Sequence, residues 1–233
     1  MTNFIQHIPC SNCGSKDNLA EYEDHYYCFG CSYWKGKNDL QSIRSRLSAN
    51  AAGSSRQSNE VNLITTPNIP SKAMQWLLQY EITKHDCETY HITWCASKEL
   101  LMLVNTPTYY QGRNFGEGVK YLSYGDKPLI FYGNSDTLVC VEDVLSAIKV
   151  YKADNSLTTT PLLGSSMPLK LTETILERFK KVRVWLDRDK ATEAVKMARN
   201  LKQKGIDADV IISANDPKEY DSNDINTIIK ERL

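Results

Sequence analysis

Two Cys-x-x-Cys knuckles, Cys10-Ser-Asn-Cys13 and Cys28-Phe-Gly-Cys31, stand fourteen residues apart near the start of the chain. Each knuckle offers two thiolates on one tight turn, and two such turns complete a tetrahedral Zn2+ shell. The spacing predicts one structural zinc ion held by Cys10, Cys13, Cys28 and Cys31. A block this short buries too little apolar surface to fold unaided, so the metal supplies its stability. The other cysteines, Cys87, Cys95 and Cys140, are scattered and are expected to be free thiols. No basic cluster followed by an apolar stretch opens the chain, so a reducing, cytoplasmic setting is expected, which favours metal over disulfides.

Rings crowd the knuckles: Tyr22, His25, Tyr26, Tyr27, Phe29, Tyr33 and Trp34, with Lys35 and Lys37 beside them. Aromatics with lysines suit single-stranded nucleic acid, whose bases stack on rings, with Trp34 among the candidates. About half of the rings are expected to pack the ribbon instead, because it has few other core residues. Lys plus Arg is 28 and Asp plus Glu is 28. Any grip on nucleic acid must therefore be local rather than a whole-molecule field. The longest strictly apolar run, residues 100–104, is far short of the roughly 20 residues a membrane span needs. No G-x-x-x-x-G-K-[ST] is present, which excludes a P-loop motor.

Three blocks follow from composition. Residues 1–47 carry the cysteines. Residues 48–60 are small and polar, the make-up of a flexible tether. Residues 61–135 mix expected helices over 71–80 and 83–90 with expected strands over 100–104 and 129–132; Thr83 and Asp86 have capping-box spacing. Residues 136–233 alternate. Strands are expected over 137–141, 161–164, 182–186 and 208–212, and helices over 143–151, 171–181 and 191–204. Ile175, Leu176 and Phe179 should face inward on the second of these helices. Ala191, Ala194, Val195, Ala198 and Leu201 should form the stripe of the third, with Gly205 as its stop. Helices between strands imply parallel pairing, so the fold class is α/β: a small β zinc ribbon, a mixed α+β middle and a mainly parallel sheet. Lys149 with Lys152, and the run from Arg178 to Arg183, read as solvated helix faces rather than a nucleic-acid surface.

Ligands of such sheets sit beyond the carboxyl ends of the strands. Glu142 follows the first strand, and Asp187 and Asp189 follow the third, so all three fall on that edge, with Asp216 after the fourth. Clustered carboxylates stay ionised only beside a cation, and oxygen-rich sites prefer Mg2+ or Mn2+. An N-terminal helix cap is the competing role for the Asp-x-Asp pair.

The chain resembles the DnaG-type DNA primases, in the short form that some bacteriophages fuse to a helicase. The resemblance rests on Tyr27-Cys-Phe-Gly-Cys31, Gly112-Arg113, Lys120-Tyr-Leu-Ser123, Pro128-Leu-Ile-Phe-Tyr-Gly133, Val141-Glu142, Leu163-Gly-Ser165, Leu186-Asp-Arg-Asp189 and Asp216-Pro217. These segments stand in family order along nearly the whole length. The last four resemble the signatures of the Toprim fold. Two departures stand out. The family's Glu-Gly-x-x-Asp is here Glu142-Asp143-Val-Leu-Ser146, and its Asp-Pro-Asp is Asp216-Pro217-Lys218.

The resemblance implies synthesis of short RNA primers on a single-stranded DNA template from ribonucleoside triphosphates. It makes Glu142 an organiser of the metal site and an acid–base group, and makes Asp187 and Asp189 catalytic ligands of Mg2+, joined by Asp216. It puts Arg113 and Lys120 on the face that holds nucleotide and template. His25 falls where phage enzymes place a template-contacting histidine. It further implies a separately encoded hexameric helicase as partner, no membrane, and a host cytoplasm if the chain is phage-encoded. A Toprim nuclease using the same acids, and a non-catalytic zinc-ribbon protein that binds single-stranded DNA, are the competing functions.

Overall fold

The computed structural model describes residues 3–12, 14–31, 33–37 and 63–232. The sequence-predicted tether and Cys13 lie outside these residues. The chain divides into two compact units, Met1–Ser58 and Asn59–Leu233.

In the first unit, β1 (Phe4–Ile8), β2 (Leu19–Tyr22), β3 (His25–Cys28) and β4 (Trp34–Gly36) form an antiparallel sheet in sequence order. Alternation along β3 sends Tyr26 and Cys28 to one face and His25 and Tyr27 to the other. The first face is the core: Cys10, Leu19 and Cys28 are buried, with Ile8, Tyr26, Cys31 and Tyr33 packed on them.

The second unit begins with two short helices, α1 (Ser71–Leu78) and α2 (Lys84–Thr89). The capping box at the start of α2 forms as its spacing predicts: Thr83 accepts from the Asp86 amide and Asp86 from the Thr83 amide. An antiparallel meander follows, β5 (Thr93–Cys95), β6 (Leu100–Thr106), β7 (Tyr109–Asn114) and β8 (Tyr121–Gly125). The expected strand over 129–132 is instead an extended segment held by one bridge, Tyr132 to Thr159.

Then β9 (Thr137–Val141), α3 (Val144–Ala153), β10 (Thr158–Pro161), α4 (Leu169–Arg178), β11 (Lys181–Trp185), α5 (Ala191–Gln203), β12 (Asp207–Val210) and α6 (Ser222–Lys230) alternate. The sheet is parallel, in the order β10-β9-β11-β12. Period-two alternation divides it cleanly. Leu138, Cys140, Val182 and Val184 face α4 and α5. Val139, Val141 and Trp185 face α3 and α6.

Three expectations are corrected. The second strand of this sheet lies over Thr158–Pro161, not 161–164. Its threonines read as polar, yet they are buried with their hydroxyls donating to the carbonyls of Ser135, Ala147 and Ile130. Leu176 and Val195 are exposed, because the stripes of α4 and α5 are narrower than their apolar content. Lys149 is no solvated residue. It is buried and paired with Glu81, and Lys152 pairs with Asp86 at 2.7 Å. Arg183 is likewise buried, donating to the carbonyls of Arg232 and Asp207.

The two lysines bolt α3 to the α1–α2 turn. Val144, Leu145 and Ile148 of α3 belong to the same apolar core as Leu77, Ile82 and Leu101, so the meander and the parallel sheet share one interior. Burial would raise the Asp86 pKa, but hydrogen bonds from Lys152 and Thr83 outweigh it and hold the carboxyl low. Its stabilisation is therefore complete above the ordinary carboxyl value near ~3.9 and fades as pH falls through the lower folded value. Asp86→Ala removes the cap and leaves Lys152 unpaired. We expect a loss of about 2–3 kcal/mol in urea unfolding at pH 7. The gap should narrow in acid, below about pH 4.

Candidate functional site

Three of the four knuckle cysteines converge, and the fourth, Cys13, lies outside the described residues. The sulfurs of Cys10, Cys28 and Cys31 lie within 4.8 Å of one another, and Cys10 Sγ is 3.8 Å from Cys31 Sγ. A tetrahedral shell with Zn–S near ~2.3 Å separates its sulfurs by about 3.8 Å. The donor set thus fits zinc. Asn12 Nδ2 donates to Cys31 Sγ at 3.4 Å, as an amide does to a thiolate ligand. Cys87 and Cys140 are buried, and burial pushes their thiols up to about 11 and about 12, so they stay protonated.

The opposite face of the ribbon carries a column of rings. His25 stacks on Tyr22 at 4.5 Å between centroids and on Trp34 at 5.9 Å. Its Nδ1 lies 2.7 Å from Asp24 Oδ1, which fixes the ring plane. Phe4 edges onto Tyr22, Tyr27 edges onto Phe29, and Phe4, Phe29 and Trp34 are exposed. Tyr26 and Tyr33 pack the thiol face instead. Lys37 does not join the column: it pairs with Glu21 at 2.7 Å and lies over Tyr26.

In the second unit, the order β10-β9-β11-β12 puts a topological switch point at β9 and β11, where chain direction away from the sheet reverses. Val141 pairs with Trp185 at the carboxyl ends of these strands. Glu142 follows at once on β9 and Asp187 two residues on from β11, so the two acids leave neighbouring strands at one edge. The turn after β10 closes over them. Gly164, at φ 144°, donates its amide to the Glu142 carbonyl at 3.2 Å.

A cavity of about 440 Å3 opens here. Its acids are Glu142, Asp143, Asp187, Asp216 and Glu219, with Lys218 among them and Gln111, Lys120 and Tyr121 of the meander on the other wall. Glu142 Oε2 and Asp187 Oδ1 are buried without a hydrogen-bond partner. Burial, and then the charge of Asp143, raise the pKa of Glu142. Burial raises Asp187 to about 7, helped by Glu142 and Asp216 against the pull of Lys218. Two orphaned carboxylate oxygens on adjacent strands are the donor set of a hard divalent cation, and Mg2+ or Mn2+ fits.

The remaining residues divide. Asp189, expected as a metal ligand, does not line the cavity; it is exposed and pairs with Lys190 at 2.7 Å. Asp216 accepts from Lys218. Arg113 does not line the cavity. Its guanidinium carbon lies 4.5 Å from the Trp76 ring centroid, with Phe115 and Tyr121 around it, and Nε and Nη1 are buried without partners. Sequence reading did not single out Lys218, Gln111 or Trp76 for a role. Only Lys218 left a signal, as the basic residue in Asp216-Pro217-Lys218.

We expect one equivalent of zinc in protein purified without chelator. Cys28→Ser should abolish it and unfold the ribbon, while the melting of the second unit is unchanged, since the two units are compact separately. Elemental analysis with circular dichroism checks both.

No protein-family model matches the chain. Among solved structures it is similar to the primase catalytic core of E. coli, with TM-score 0.52 and 14% identity over 69% of this chain and 73% of that one. It also aligns with the zinc-binding and RNA polymerase domains of the Aquifex aeolicus primase, with TM-score 0.46 and 12% identity over 98% and 80%. A DnaG primase catalytic domain bound to single-stranded DNA aligns with TM-score 0.45 and 13% identity over 82% and 74%. The fold is that of a primase catalytic core, as the sequence resemblance implies.

Proposed function

We propose that this chain is a DNA primase, joining ribonucleotides into short RNA primers on single-stranded DNA. The observation that carries this reading is the pair of buried, unpartnered carboxylate oxygens, Glu142 Oε2 and Asp187 Oδ1, at the switch point of a primase-type fold. A bound Mg2+ or Mn2+ would neutralise phosphate charge and sharpen the attacking 3′-hydroxyl. Glu142 and Asp187 hold that cation. Asp189 extends the acidic edge to the rim, where Lys190 can yield it to an incoming ligand. Lys120, on the facing wall, takes phosphate oxygens. Arg113, braced by Trp76, adds fixed positive charge behind the face that meets nucleotide or template.

In this proposal residues 1–47 read the template, 48–60 tether them, 61–135 supply the basic wall, and 136–233 form a Toprim catalytic domain. The Tyr22–His25–Trp34 column is the stacking platform for template bases. A hexameric replicative helicase is the partner that primer synthesis calls for, and a phage replication system suits this arrangement. No helix among the described residues is long and apolar enough to cross a membrane.

Incubation with single-stranded DNA, labelled ribonucleoside triphosphates and Mg2+ tests the reading. Short RNA products are expected. Shortened DNA would mark a nuclease instead, and neither product would mark a binding protein. Asp187→Asn should lower primer synthesis at least about 100-fold, as loss of a metal ligand does. Asp189→Asn should cost less, because that carboxylate is exposed and already paired. Equal effects would place Asp189 beside Asp187 on the metal.

A further inference from the structure

Among the described residues that line the cavity, Lys218 is the basic side chain that bonds to its acids. Its Nζ donates to Asp143 Oδ2 and to Asp216 Oδ2, each at 2.8 Å, and its side chain is 13% exposed. Burial alone would drive the ammonium to lose its proton. The charges of Asp143 and Asp216 and their hydrogen bonds reverse that and push its pKa well above the ordinary lysine value. Two carboxylate oxygens at 2.8 Å accept from Nζ, the surroundings of an ammonium.

Asp143 is largely occupied, with three donors on its roughly four acceptor sites. Its Oδ1 accepts from the Ser146 amide, as the N-cap of α3, and its Oδ2 accepts from the Ser146 hydroxyl as well as from Lys218. Four of the five acids therefore fall into two pairs, with Glu219 outside both. Asp143 and Asp216 are satisfied by an ammonium, while Glu142 and Asp187 have oxygens without partners. A divalent cation bridging Asp143 and Asp216 would need the same Oδ2 atoms at about 2.1 Å. It would fall on the volume of Nζ and meet its charge.

We infer that Lys218 is a built-in cation occupying a second cation position of this site, and that the pocket takes a single divalent ion, at Glu142 and Asp187. The inference rests on the metal-dependent reading above and deepens it. An ammonium supplies fixed positive charge to phosphate oxygens near Asp216, without exchange or loss at low metal concentration. It cannot activate a hydroxyl as a bound divalent ion does. The two halves of the pocket are thereby given different tasks: a fixed electrostatic clamp on the Asp143–Asp216 side, and an exchangeable ion on the other.

Titration of the zinc-loaded full chain with Mn2+, followed by the electron paramagnetic resonance of free Mn2+, tests this without reference to activity. The wild type should bind one Mn2+, and Asp187→Asn should lose it. Lys218→Met frees Asp143 and Asp216 and should raise the count from one to two. Lys218→Arg keeps the charge and should stay at one. Asp216→Asn should leave the wild-type stoichiometry unchanged, and this variant keeps the inference testable if Lys218→Met fails to fold. Two Mn2+ ions in the wild type, an unchanged count in a folded Lys218→Met, or loss of Mn2+ in Asp216→Asn would overturn it. Failure to make primers with the Mn2+ counts as expected would sink the primase reading and leave this inference standing.

Discussion

Parallel pairing of β9 with β11 is the constraint on which the site depends. Parallel strands end at the same edge, so residues that follow two neighbouring strands are forced together whatever their charge. Here the pairing of Val141 with Trp185 brings Glu142 and Asp187 to one edge, and burial denies them water. The fold accepts an electrostatic cost at that edge, visible in the raised pKa values of both acids. Residues packed elsewhere supply the stability that sustains it, among them the apolar layers on either face of the sheet.

Helix α3 connects this edge to the rest of the unit. Its first residue is capped by Asp143, which also binds Lys218, so the helix start belongs to the cavity. Its buried face is shared with the meander, and its last turns are pinned through Lys149 and Lys152 to Glu81 and Asp86. The wall bearing Lys120 and the wall bearing the acids are therefore held by one continuous core rather than by a hinge. A rigid frame of this kind suits chemistry that relies on positioning and preorganised charge.

The ribbon solves a different problem. Its sheet is too small for two apolar faces, so one face closes on the thiols and the other presents stacked rings. A metal held by these thiols would supplement the small core of Cys10, Leu19 and Cys28. That leaves His25, Tyr22 and Trp34 free of a packing duty in the ribbon's interior, and their stacking on one another keeps them ordered at the surface.

Local chemistry made much of this legible in the chain itself. The knuckle spacing, the capping box of Thr83 and Asp86, the Gly205 stop after α5 and the alternation of strand and helix all act over a few residues, and all appear in the structure. The edge on which Glu142 and Asp187 fall was legible too, because parallel order fixes it. What the sequence could not decide depends on partners distant along the chain. Buried threonines on β10 read as polar until their carbonyl partners are known. Lys149 and Arg183 read as solvent-facing until Glu81 and the carbonyls of Arg232 and Asp207 are brought to them. Asp143, Asp216 and Lys218 look like a motif gone astray, and only tertiary contact across 75 positions turns them into one ion-pair cluster. Charge in a folded protein takes its meaning from what lies within a few ångströms, and only the fold sets that distance.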